Sequence, residues 1–156
     1  MADRIEKEIE SLLGQGQRKA NILARLEGDQ AQRPKVVFYL NNISMPGDRK
    51  KYQLYNLVLA GLLTFVTAKK LIATFSFGKI DLFLLISLIV PAVNIYLLRE
   101  ILRFRRLGYQ FLFVVSVLAM VHPENHFIPE ATMQVAIIVL SGFLYVKLFP
   151  TAKMIK

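Results

Sequence analysis

The sequence predicts an all-α polytopic membrane protein, with four transmembrane helices behind a small N-terminal helical cytoplasmic segment. Three observations lead there. The 156-residue chain is 54% hydrophobic with a mean hydropathy of +0.44, which excludes a disordered chain despite a formal charge of +9. Its apolar residues gather into four blocks free of Asp, Glu, Lys and Arg, at 52–68, 82–98, 107–121 and 131–146, where a soluble domain would spread them periodically. Its 20 Lys and Arg, against 11 Asp and Glu, all fall between or outside those blocks.

The first 48 residues read as a cytoplasmic helical segment, and residues 49–156 as the transmembrane domain. Ile5, Ile9, Leu12 and Leu13 stand at i, i+4, i+7 and i+8, one face of a helix over Asp3 to Leu13 that Gly14 and Gly16 end. A second helix over Arg18 to Leu26 would turn Ala20, Leu23 and Leu26 to one side. Pro34 suits the first turn of a third segment, Lys35 to Leu40, whose Val-Val-Phe-Tyr letters equally allow a strand. Met45-Pro-Gly-Asp48 is a turn signal, and Arg49-Lys-Lys51 closes the segment at the membrane surface. The charged start of the chain lacks the apolar run of a signal peptide.

Spans are expected at about 52–70, 80–98, 104–122 and 131–149. The charge-free blocks fall near or below the roughly 17 to 25 residues that cross a hydrocarbon layer of about 30 Å. Lys69, Lys70, Arg106 and Lys147 can snorkel outward to lengthen them, and Tyr52, Tyr96, Tyr109 and Tyr145 lie near segment ends where amphipathic rings favour the interface. Positive charge concentrates in residues 1–51, in Arg99 to Arg106 and in the tail from Lys147, and is missing from His122 to Glu130. That distribution puts both termini in the cytoplasm, in a cell (inner) membrane, with the Lys69, Lys70 and Lys79 loop dissenting.

Four constellations carry candidate chemistry. Uncharged polar residues at helical spacing, Asn56 and Thr64, Ser87 and Asn94, Ser116, Gln134 and Ser141, form stripes that lipid would leave without partners, so they should meet in an intramembrane seam that serves packing or a pathway. Pro91 removes the bond to the Ser87 carbonyl and should kink the second span. Arg99, Arg103, Arg105 and Arg106 form a basic cluster suited to gripping lipid phosphate or anchoring topology; continued as a helix, Arg99, Arg103 and Arg106 would share a face. His122, Glu124, His126 and Glu130 supply imidazole and carboxylate within nine residues, a ligand set for a transition metal although the spacing matches no zinc motif. Arg18, Lys19, Arg25, Arg33 and Lys35 give the N-terminal helices the look of a trihelical nucleic-acid reader, but a balance of only +3 over residues 1–51 disfavours it.

Cysteine is absent, which excludes disulfides, thiolate metal sites and cysteine nucleophiles. No nucleophile with a base, no paired carboxylates and no complete phosphate loop appear, so the chain is not expected to be an enzyme or to carry a cofactor. The expected function is that of a small membrane scaffold or accessory subunit, assembling with itself or a membrane protein partner through its cytoplasmic helices, in a bilayer that can include anionic lipids. The alternative is an oligomeric channel or a small-solute or metal transporter that uses the polar seam.

Overall fold

The computed structural model describes residues 4–26, 33–77, 82–121 and 127–155, and among them every regular element is helical. The order is α1 (Arg4–Gly14), α2 (Lys19–Leu26), α3 (Arg33–Asn42), α4 (Pro46–Phe77), α5 (Leu82–Ser87), α6 (Ile89–Leu102), α7 (Arg106–Ala119) and α8 (Glu130–Leu148), with a 3-10 turn at Thr151–Lys153. Three stretches, Pro46–Ser76, Leu84–Leu102 and Glu130–Leu148, are long and apolar enough to cross a membrane. The fourth apolar helix, α7, has 14 residues and reaches only about 21 Å at 1.5 Å per residue, shorter than the expected 104–122 span.

Two apolar clusters organise the chain. Ile9, Leu12 and Leu13 of α1 bury their face against Ile22 and Leu23 of α2 and Val36, Leu40 and Ile43 at α3. The buried face of α2 is therefore Ile22 and Leu23, and Ala20 points outward. The α1 helix stops because Gly16 takes φ +82°, which lets Gln17 N–H reach the Leu12 carbonyl (3.2 Å) and Gly16 N–H the Leu13 carbonyl (3.0 Å), a paired cap that favours glycine. In α3 the Val-Val-Phe-Tyr run is helical, with Pro34 inside the first turn where its missing N–H costs nothing.

The second cluster packs Leu59 and Leu63 of α4 against Leu97 and Ile101 of α6, Leu112 of α7 and Ile137 and Leu144 of α8. These four helices lie side by side, α7 between α6 and α8 and α4 beside α6 and α8. Met45–Asp48 is not the expected turn: Pro46 opens α4 and Asp48 sits in its first turn, so one helix runs from the N-terminal cluster through the apolar bundle. Proline has no N–H to leave orphaned there, and the carboxylate favours the positive end of the helix dipole. The second apolar block breaks at Leu88 between α5 and α6, beside the carbonyl of Ser87 that Pro91 cannot bond.

The α6–α7 corner fixes the geometry of the candidate site. Sequence spacing continues one helix through Arg99, Arg103 and Arg106, but α6 ends at Leu102 and Arg106 opens a new helix. Phe104 takes the left-handed conformation at φ +54°, so that Arg105 N–H meets the Glu100 carbonyl and Phe104 N–H the Ile101 carbonyl, both at 3.0 Å. This is the same cap that Gly16 makes, built on a residue that gives up roughly 1–2 kcal/mol to adopt it. The return is close because Gly108 has no side chain: a Cβ there would stand 2.7 Å from the Glu100 Cβ.

Candidate functional site: a buried arginine latch and a polar seam

Arg105 leaves the corner in extended conformation (φ −91°, ψ 132°) and pairs in an isolated antiparallel bridge with Ile43. Its side chain enters the junction between the N-terminal helices and the apolar bundle, where it is 1% exposed. There Nη1 lies 2.5 Å from Glu6 Oε1 and Nη2 donates to Glu10 Oε1 at 2.6 Å. Arg103 stands behind it, 3.6 Å from Glu10 and 3.9 Å from Glu6. Of the basic cluster, Arg99 is exposed, Arg103 and Arg105 hold α1, and Arg106 turns to Tyr145. Sequence reasoning missed Glu6 and Glu10. The signal was their spacing of four residues on one helix, a like-charge pair that is unfavourable unless a cation sits between them.

Asparagines complete the junction. Asn42 Oδ1 accepts the Leu107 N–H at 3.0 Å, capping α7 from another helix where Arg105 supplies no side-chain cap. Asn41 clamps the C-terminal tail, donating from Nδ2 to the Ile155 carbonyl (2.8 Å) and accepting its N–H (2.9 Å). Lys19 Nζ donates to the Ile43 carbonyl at 2.9 Å. Burial pushes this ammonium down from 10.5 to about 8, against the opposing pull of Asp48.

Inside the bundle, Asn56 of α4 donates from Nδ2 to the Ile101 carbonyl of α6 (3.0 Å), and the Tyr109 hydroxyl of α7 donates to Asn56 Oδ1 (2.6 Å). Tyr109 is fully buried among the helices. The knot ties three helices through a carbonyl one turn before the corner, whose N–H partner is the strained Phe104. Further along, Gln134 of α8 donates to the Ser116 carbonyl of α7 at 2.9 Å. Gln134, Ser116 and the buried Asn94 border a cavity of about 30 Å³, with Lys70 at its rim. Ser141 is buried but bonds within its own helix, to Ile138. Thr64 is exposed and also bonds its own helix, at the Ala60 carbonyl (2.8 Å). Ser87 is exposed beside the Leu88 break. The structure therefore brings Asn94, Ser116 and Gln134 together, sets Asn56 in a second knot with Tyr109, and leaves Thr64 and Ser87 outside both.

At the α8 N-terminus a cleft of about 160 Å³ is lined by Lys69, Lys70, Glu130 and Gln134, with Lys69 and Glu130 in an ion pair. Of the expected metal ligands, His122, Glu124 and His126 lie outside the described residues, and no group of three metal-binding side chains forms among the described ones. Comparison with protein-family models, curated proteins and solved structures finds no match.

Proposed function

We propose that the chain is a small integral membrane scaffold or accessory subunit, crossing the cell (inner) membrane four times with both termini in the cytoplasm. In this reading the N-terminal helices are a fixed docking module. The observation that carries it is the latch: Arg105, Asn41 and Asn42 tie α1, α3 and the tail to the end of the bundle, so a partner bound to the module is coupled mechanically to the membrane helices. The outward side of the module keeps Lys7, Glu8, Ser11, Asn21, Arg25 and Phe38 exposed for such a partner, a second copy or another membrane protein. The short α7 crosses with the help of local thinning and of Arg106 and Gln110 at its entry.

Asn56, Tyr109 and Gln134 of the seam bond between helices and Ser141 bonds within its own, which supports packing over permeation. The cavity at Lys70, Asn94, Ser116 and Gln134 is the feature favouring a solute pathway, and its volume of about 30 Å³ suits a single water. Mass measurement of the full chain in lipid nanodiscs, beside ion and solute flux in proteoliposomes, tests the assignment. A discrete assembly without flux is expected. Selective flux abolished by Gln134→Leu would replace the scaffold with a pathway.

A further inference from the structure

On the outer face of the bundle, α7 and α8 leave a groove of about 320 Å³ lined by Gln110, Phe113 and Val114 on one side and Gly142, Tyr145 and Val146 on the other. Both sets follow i, i+3, i+4, so two helix faces of the same length oppose each other. Gly142 opens the floor: a Cβ there would already touch the Phe113 ring at 3.4 Å, and any larger side chain would fill the space. Most of the groove is apolar and Val114 and Val146 are exposed along it, the environment of an acyl chain.

The end nearest the N-terminal helices is different. Tyr145 Oη accepts from Arg106 Nη2 and from Gln110 Nε2, both at 3.0 Å. Two donors occupy its oxygen, so its own proton is left to donate, and no acceptor takes it among the described residues. The Arg106 guanidinium also lies over the Tyr145 ring at 5.6 Å, while its Nε is buried without a partner and no carboxylate pairs with it among the described residues. Lys19 and Arg106 repel, with Arg49 and Lys153 adding to that field and Asp48, paired with Lys153 at 2.7 Å, opposing it. An unneutralised cation and a free hydroxyl proton at one end of an apolar groove match one chemistry, an anionic head on an acyl tail.

We infer that the α7–α8 groove binds one anionic phospholipid from the leaflet on the side of the N-terminal helices, its phosphate at Arg106 and Tyr145 and an acyl chain between Phe113 and Gly142. The site requires a membrane-embedded chain and goes beyond the scaffold reading, since it would serve a scaffold or a pathway alike. A bound phosphate supplies the negative charge that Arg106 lacks among the described residues and an acceptor for the Tyr145 proton. The apolar floor explains why Gly142 faces Phe113.

The test uses the delipidated full chain, reloaded with dioleoyl phosphatidylglycerol or dioleoyl phosphatidylcholine and read by native mass spectrometry. One phosphatidylglycerol per chain should be retained about fivefold or more over phosphatidylcholine, a preference that Arg106→Gln brings close to parity. Gly142→Leu should remove the retained lipid. Because that variant can misfold, the wild-type chain in vesicles containing a phosphatidylglycerol with a photoreactive tail supplies a second reading, with adducts expected at 110–114 and 142–146. Equal retention of both lipids by the wild type, or adducts confined to other helices, would overturn the inference.

Discussion

Arg105→Met removes the buried cation from the latch and leaves Glu6 and Glu10 with only the partly exposed Arg103, 3.9 and 3.6 Å away. Breaking a buried ion pair from one side costs about 3–5 kcal/mol, because the surviving charge loses its partner without regaining water. The two halves of this latch differ in how much water they can regain. Glu6 and Glu10 are 12% and 31% exposed, whereas Arg105 is 1% exposed. Stranded carboxylates can thus rehydrate, and Arg105→Met should fall near the lower figure, about 3 kcal/mol. Glu6→Ala with Glu10→Ala strands a guanidinium that is 1% exposed, with Arg103 left facing the same vacated place, so the double variant should approach about 5 kcal/mol. Replacing all three with apolar residues should restore much of the loss, since removing a whole buried charge set is often near neutral. The readout is amide exchange in α1 and α3 of the full chain in nanodiscs, with thermal unfolding alongside. Local opening of α1 caps the measurable effect in exchange, so the ranking carries the test. A double carboxylate variant milder than Arg105→Met, or α1 exchange unchanged by either, would refute the electrostatic account of docking.

Tyr109→Phe should lower stability by about 1–3 kcal/mol in thermal or denaturant unfolding, because Asn56 Oδ1 is left buried without its donor; an unchanged melting temperature would show that the knot does not hold the helices. Gly108→Ala should be worse than most single changes, since its Cβ would lie 3.1 Å from the Glu100 backbone carbon, which cannot move aside as a side chain can; wild-type stability would contradict the close approach at the corner. Lys19 holds its proton less tightly folded, at about 8, than at its ordinary 10.5, so the unfolded chain binds more protons between those values. Stability of the docked helices should therefore rise as pH increases from about 8 to 10.5, and Lys19→Met should flatten that rise when exchange rates are corrected for pH.

The helical class and the apolar segments are legible because hydropathy and charge act on whole stretches, and no tertiary detail is needed to read them. Turns are harder, since the same letters serve two purposes. Pro46-Gly47 reads as a break, but a proline at the first helical position breaks nothing, and α4 begins there. The α6–α7 corner carries no glycine at its left-handed position, and Phe104 holds it with two backbone bonds and the Arg49 guanidinium 5.9 Å over its ring. No local signal announces that exchange of strain for packing. Of the expected seam, Asn56, Asn94, Ser116, Gln134 and Ser141 are buried, although Ser141 bonds its own helix. The spacing is misleading for Thr64, because a hydroxyl can satisfy itself on its own helix. Arg105 is the least legible of all. Its letters match those of surface arginines, and only the Glu6 and Glu10 spacing far upstream shows where its charge is needed.

Sidedness is the most direct measurement, because the proposed fourfold crossing depends on the short α7. The cysteine-free background allows Ser11→Cys on α1, Arg99→Cys near the end of α6 and Phe127→Cys after α7, each probed with an impermeant thiol reagent in intact and in opened cells. Positions 11 and 99 are exposed, as is 127, so access is limited by the membrane and not by packing. Residues 11 and 99 should label only after opening, while 127 labels in intact cells. Labelling of 99 and 127 from the same side would mean that α7 does not cross, and would contradict a four-pass bundle with its docking module in the cytoplasm.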